Sequence, residues 1–360
     1  MRDQKPSTEK ASAPKLPATM RAHIITAHGK RPALTAIAIP EPGPGEVLIR
    51  VSACGICHSD IHALDGDWSP PSELPLIPGH EITGHVVAHG TGVTAPAIGA
   101  AVGVAWLGGA CGHCEACLNG RETTCAEAVS TGYTRDGGYA EFVTARADFV
   151  ATIPAGVDLT SLAPVLCAGV TTYRGLKLSG VRPGQFVGVV GVGGLGHIAL
   201  QYARAMGLRP VAVDIDPDKL ALATRCGAEM TFNAKENAVA AVNAATGGGC
   251  HAVLVTATAP QAFEQAIAMT RNSGTTVFIG IPGSAHDQVR VSIIDTVNGE
   301  KIIRGSNVGT RLDLKEALDF AVRGLIKPEI EEIGFEHAAD ALDRLRAGHV
   351  AGRLVLKMAG

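Results

Sequence analysis

No uninterrupted apolar run in these 360 residues reaches the roughly 20 needed to cross a bilayer; the longest candidates are broken by glycine, proline or charge. An excess of basic charge is also missing. The formal net charge is −3, which excludes the positive field that holds nucleic acid. The first nineteen residues, Met1 to Thr19, mix Lys, Pro, Ala, Ser and Thr and lack the apolar centre of a signal peptide. They predict a flexible arm, and the chain as a whole a cytoplasmic protein. Neither an internal repeat nor a heptad pattern is present. What is there is ordinary globular material, 46% hydrophobic and 18% charged, with length enough for two cores.

The nine cysteines are unevenly placed. Four fall between Cys111 and Cys125, as Cys111-x₂-Cys114-x₂-Cys117-x₇-Cys125, and two more are Cys54 and Cys57. An odd count argues against complete pairing, and in reducing surroundings clustered thiols favour metal over disulfide. Four thiolates can enclose one tetrahedral Zn²⁺ and leave no open position for substrate, so the cluster reads as a structural zinc site. An iron–sulfur cluster is the other occupant such a set can take, but nothing else here suggests electron transfer. His113, inside the loop, reads as an exposed residue, because four sulfurs already complete the shell.

Up to about residue 165, short Val/Ile runs alternate with Gly and Pro, and Val47–Val51, Ile82–Ala88 and Tyr139–Thr144 read as strands. From Val181 apolar strands alternate with helical stretches. Phe186–Val190 reads as a strand, Leu195–Met206 as a helix and Val211–Val213 as the next strand. Asp216 then offers an N-cap, Pro217 the first helical position and Gly227 a stop. Further strands are predicted at Met230–Phe232, Ala252–Val255, Thr275–Gly280 and Lys301–Arg304, and a helix around Leu314–Arg323. Such alternation predicts a doubly wound parallel sheet. Arg353–Lys357 is a last strand-like run that returns to the first domain.

Gly191-Val192-Gly193-Gly194-Leu195-Gly196 fits Gly-x-Gly-x-x-Gly between a predicted strand and helix. The first glycine serves a tight turn, the second lets backbone approach a pyrophosphate, and the third lets helix pack on strand. The motif alone is weak in a chain with 44 glycines. Context strengthens it: Asp214 stands 23 residues after Gly191, at the end of the next strand. A carboxylate there accepts bonds from ribose hydroxyls and repels a 2′-phosphate, which predicts NAD over NADP.

Cys57-His58-Ser59-Asp60-Ile61-His62 packs a thiol, two imidazoles, a hydroxyl and a carboxylate into six positions. Gly79-His80-Glu81 follows, and Cys167 lies in the apolar run Ala163–Gly169. Spacing alone does not join these three regions; a lone Cys is more often a buried small hydrophobe. Together with Gly79-His80-Glu81-x₂-Gly84-x₅-Gly90-x₂-Val93, the four-cysteine cluster and the nucleotide glycines, they make the chain resemble a known family. It is similar to the zinc-containing alcohol dehydrogenases of the medium-chain dehydrogenase/reductase superfamily, particularly the yeast and bacterial ethanol-active branch. The match runs from about Met20 to the C-terminus.

The resemblance implies an α/β protein with a GroES-like, mostly β catalytic domain and a Rossmann domain. The expected division is an arm at 1–19, the catalytic domain with its structural zinc lobe at 20–165, the NAD-binding domain at 166–307, and a segment at 308–360 returning to the catalytic domain. Two zinc ions per subunit, NAD and a homotetramer are implied. Cys57, His80 and Cys167 match the catalytic zinc ligands, with Glu81 as a carboxylate that ligates zinc in some relatives. Asp60 matches the carboxylate that orients His80. Ser59 and His62 match the inner and outer ends of a proton relay, and imidazoles shuttle protons near neutral pH. His58 and Arg353 match contacts to the cofactor pyrophosphate, and Lys219 a contact to the adenosine ribose. For Lys219 and Arg353, ordinary surface charge is the alternative.

Trp68 and Trp106, the chain's two tryptophans, match positions that narrow the alcohol pocket of the ethanol-active branch. They favour short primary alcohols; the alternative is that both simply fill the core. The competing enzyme reading is a polyol or secondary-alcohol dehydrogenase with the same sites. A protein that has lost catalysis is disfavoured by the complete set of Cys57, Ser59, His62, His80 and Cys167, and a zinc-ribbon nucleic-acid binder by the absent basic surface.

Overall fold

The computed structural model describes residues 16–358. Most of the expected arm therefore lies outside the described residues; its last position, Thr19, already opens a strand, Thr19–Ile24, paired antiparallel with Ala33–Ala38.

Two sheets organise the rest. The first has seven strands. Its main path runs Ile330–Gly334, Arg353–Lys357, Glu46–Gly55, Glu81–His89, Ala101–Val104, Ala151–Thr152, and Phe142–Arg146 pairs with Glu46–Gly55 off that path. Glu46–Gly55 pairs along its length with Glu81–His89, so the residues that follow one strand stand beside those that open the other. The expected return of the C-terminal run is present: Val355–Lys357 pairs antiparallel with Ala53–Gly55.

The second sheet is parallel throughout, in the order Met230–Asn233, Arg209–Asp214, Phe186–Val190, Cys250–Val255, Thr270–Phe278, Ile302–Gly305. Chain order reverses beside Phe186–Val190, and at that switch point a doubly wound sheet opens a crevice at the carboxyl ends of its strands. Val187 and Val189 are fully buried against one layer, with Ile198, Ala199 and Leu200 of the following helix Gly196–Ala205 in the same core. Each such side chain contributes about 1.5–3 kcal/mol by leaving water. Asp216 caps Pro217–Arg225 by accepting from the Asp218 amide, and Gly227 follows at φ +98°.

Two expected strands are displaced. Tyr139 and Ala140 do not join the strand Phe142–Arg146; Tyr139 is held by its amide on the Pro78 carbonyl and fully buried. The strand expected at Thr275–Gly280 runs instead from Thr270 to Phe278. Its register shifts opposite Cys250 and Ala252, and Ser273 lies at φ +59°.

Candidate active site and metal centres

Cys57 ends the turn that leaves Glu46–Gly55 and stands at the N-cap of the helix His58–Asp65. The Asp60 carboxylate reaches back and accepts from the Cys57 amide at 2.8 Å, the second half of a capping box. Asp60 also accepts from the Gly79 amide at 3.1 Å and the Tyr139 hydroxyl at 3.0 Å. Its other near neighbour is His80 Nδ1 at 3.2 Å, a charge contact off the line of a hydrogen bond. One buried carboxylate thus ties together the turn, the Gly79-His80 segment and Tyr139.

The regions that spacing could not join meet here. Ligand atoms of Cys57, His80, Glu81 and Cys167 lie within 4.8 Å of one another, and all four residues are buried. His80 Nε2 and Glu81 Oε2 have no hydrogen-bond partner among the described residues. Burying such atoms unpaired costs about 1–3 kcal/mol each, so a pair of them aimed at two thiols fits a cation. Thiolate, imidazole and carboxylate are the donors Zn²⁺ takes. Burial pushes His80 down, yet Asp60 and Cys57 push it up further, to about 10. Burial raises Glu81 to about 8 despite Arg353. Gly55 makes the room, since a Cβ there would stand 1.8 Å from Glu81 Oε2.

Arg353 is 3% exposed, so the surface-charge alternative is overturned for it. Its guanidinium pairs with Glu81 Oε1, and its Cδ and Nη1 lie where a Cβ on Gly194 would be, at 2.8 Å. It thus bridges the metal-type cluster and the nucleotide-type loop. In that loop Gly191 turns at φ +94° and a Cβ on Gly196 would collide with the Gly191 carbonyl at 1.9 Å. Gly193 has open space where its Cβ would be, as close approach by a ligand requires. Leu195 precedes the helix Gly196–Ala205. Asp214 accepts from the Val192 amide at 2.6 Å and the Asp216 amide at 3.0 Å, so it also holds the loop in place.

A cleft of roughly 370 Å³ joins these parts, with Ser59, His62, Trp68, Cys167, Asp214 and Lys219 among its walls. His58 lies exposed on the same wall. Ser59 Oγ stands 3.7 Å from Cys57 Sγ. Trp68 stacks on His62 with ring centroids 4.3 Å apart, and Trp106 meets His80 edge-on at 4.9 Å. The two indoles contact each other at 6.2 Å, backed by Tyr133 at 5.8 and 5.7 Å. They therefore pack together next to the buried cluster.

Farther out, ligand atoms of Cys111, Cys114, Cys117 and Cys125 also gather within 4.8 Å. Four converging sulfurs around a lobe with few apolar contacts fit a closed tetrahedral shell. His113 is exposed, as expected.

The family model of the alcohol dehydrogenase GroES-like domain matches residues 43–155, and that of the zinc-binding dehydrogenases matches 194–323. An alcohol dehydrogenase of Geobacillus stearothermophilus is 46% identical over 94% of this chain and 99% of its own length. The chain belongs to the zinc-binding alcohol dehydrogenases of the medium-chain dehydrogenase/reductase superfamily. Among solved structures, the alcohol dehydrogenase of Aeropyrum pernix superposes with a TM-score of 0.87 at 29% identity, covering 94% of this chain and 99% of that one. Acetophenone reductase of Geotrichum candidum, solved with NAD, gives 0.84 at 29% identity, covering 96% and 98%. The α/β architecture read from the sequence, a strand-rich domain beside a Rossmann sheet, is thereby established.

Sequence reasoning missed Asp67. Its carboxylate lies 2.8 Å from His62 Nδ1, and a Cβ on Gly283 would meet its Oδ2 at 2.7 Å. The only signal was its place in Gly66-Asp67-Trp68, a turn with Gly66 at φ +66° that continues the His62 helix. Tyr133 and Tyr139 were missed too, because their roles depend on contacts far apart in the chain.

Proposed function

We propose that this alcohol dehydrogenase interconverts short primary alcohols and aldehydes with NAD, using one zinc ion at Cys57, His80 and Cys167 and a second at the four-cysteine lobe. The observation that carries the reading is His80 Nε2, unpartnered and aimed among two thiols and Glu81 beside the glycine loop. When bound, zinc supplies Lewis acidity toward an alcohol or carbonyl oxygen and NAD accepts or returns the hydride. The chain supplies the rest. Asp60 orients His80, and Arg353 pairs with Glu81 Oε1; Cys57, His80 and Cys167 would hold the ion, with Glu81 Oε2 near enough to join them when no substrate is bound.

Ser59 takes the substrate hydroxyl proton at the inner end of the relay and His62 delivers it to solvent at the outer end. Asp67 accepts the His62 Nδ1 proton, so Nε2 is the nitrogen left basic. Trp68 and Trp106 limit the space beside the cluster, which favours a short chain over a branched one. Asp214 near Lys219 supports NAD, because a 2′-phosphate would meet a carboxylate already fixed by two amides. His58 and Arg353 serve the pyrophosphate. We keep the domain limits at 20–165, 166–307 and 308–360; the two sheets and the return strand Arg353–Lys357 support them, while Leu314, Ala317 and Leu318 of the last segment pack in the core of the parallel sheet.

A homotetramer is supported by an uncovered apolar face. Ile293, Ile294 and Val297 are 66–78% exposed beside Ile302–Gly305, the last strand of the parallel sheet. No helix among the described residues is long and apolar enough to cross a membrane. The deciding experiment is the initial rate of reduction of NAD, and separately NADP, with ethanol, butanol, benzyl alcohol, isopropanol and sorbitol. Fast turnover of ethanol and butanol with NAD is expected; a preference for isopropanol or sorbitol would move the chain to the secondary-alcohol or polyol class.

A further inference from the structure

The four-sulfur shell has no free coordination position, so a ligand just outside it would ease the passage of an ion in or out. One face of the lobe offers such ligands. Ligand atoms of Cys111, His113 and Glu127 lie within 4.8 Å of one another. This trio shares Cys111 with the shell and adds two exposed side chains. Cys125, by contrast, is buried.

The trio is also held in a ligating form. Cys111 Sγ accepts from the Cys114 amide at 3.3 Å, which favours a sulfur carrying negative charge. His113 Nδ1 donates to the Cys111 carbonyl at 3.0 Å. That bond leaves the lone pair on Nε2 and ties the ring to the residue whose sulfur the two sites share. Gly112, at φ +80°, forms the turn that brings His113 back over Cys111. The Glu127 amide donates to Cys125 Sγ at 3.4 Å, so Glu127 is anchored to the shell by its own backbone.

We infer that Cys111, His113 and Glu127 form an outer zinc site through which the ion is handed into and out of the four-cysteine shell. The inference rests on the reading of that shell as a zinc site. In the outer position the ion would be held by the Cys111 thiolate, His113 Nε2 and a Glu127 oxygen; in the inner position Cys111 would be kept and the sulfurs of Cys114, Cys117 and Cys125 would replace the two exposed side chains. Any protons on those three thiols leave to solvent, and no atom changes oxidation state. Exit is the reverse.

The test follows entry of ¹¹³Cd²⁺ into the zinc holoenzyme by NMR, which separates a four-sulfur shell from a two-sulfur one. His113→Ala with Glu127→Gln touches only exposed side chains outside the shell. The double variant should fill the four-sulfur site at least roughly tenfold more slowly than the parent, with the same final occupancy and melting temperature. Equal rates in the two proteins overturn the handover site while leaving the shell a metal site. A parent whose lobe holds neither zinc by elemental analysis nor ¹¹³Cd²⁺ by NMR overturns the zinc reading and the handover site together; a lobe that keeps its zinc and takes up no cadmium overturns the handover site alone.

Discussion

His62 and Asp67 show how much chemistry one side-chain pair can decide. His62 Nδ1–H donates to the carboxylate at 2.8 Å while Trp68 fixes the plane of the ring by stacking. An amide oxygen can still accept that proton, whereas a methyl group cannot. Asp67→Ala should therefore lower kcat for alcohol oxidation about tenfold or more, within the range attributed to a positioned acid–base group. Asp67→Asn should recover most of the loss, and KM for the alcohol should stay nearly constant in both. Steady-state kinetics with ethanol and NAD provide the check; equal losses in both variants, or a loss confined to KM, would remove Asp67 from the relay.

At the scale of elements, two glycines and one histidine decide whether neighbouring segments can approach. Gly196 lets the first turn of its helix lie against the Gly191 carbonyl, and a Cβ 1.9 Å from backbone has nothing flexible to displace. Gly196→Ala should raise the dissociation constant for NADH on the order of tenfold or more, read by fluorescence titration. Gly55→Ala would instead displace the Glu81 carboxylate, since a Cβ there would stand 1.8 Å from its Oε2, and zinc content per subunit should fall. His197, fully buried, donates from Nδ1 to Gly193 and accepts at Nε2 from the Glu329 amide. It clamps the nucleotide loop to the segment that leads back to the first sheet.

A proton on His197 Nε2 would break the second of those bonds, and burial holds its pKa down to about 4. The sign follows from linkage. Above about pH 6.5 the ring is neutral folded and unfolded, and its contribution is complete. Between about 6.5 and 4 only the unfolded chain takes up the proton, so stability falls with pH, by up to about 3 kcal/mol. His197→Gln keeps one donor and one acceptor but cannot titrate. Its melting temperature should fall less than that of the parent between pH 6.5 and 4.5, and parallel curves would falsify the assignment.

For the whole molecule, the open side of Ile302–Gly305 and the uncovered isoleucines point the same way. A sheet edge beside exposed apolar side chains is a template for pairing with another chain. Ile293→Asp with Ile294→Asp should convert the assembly to a smaller species by light scattering coupled to gel filtration. An unchanged mass would place the contact elsewhere on the surface.

Much was legible in the residues because it is local. The strand Phe186–Val190, the helix after it and the Asp216 cap needed only apolar period, glycine and proline, all properties of a short stretch of chain. The four cysteines lie within one lobe, so spacing alone implied their convergence. Cys57, His80 and Cys167 lie on separate segments, and only the antiparallel pairing of Glu46–Gly55 with Glu81–His89, and the turn before Ala168–Ser179, bring them together. Resemblance pointed to them as a proposed ligand set before geometry could bring them together. Arg353 beside Glu81 and Tyr139 on Asp60 were decided by tertiary structure alone. A hydrogen bond depends on distance in space, and chain spacing carries no record of which side chains a fold will place within 3 Å.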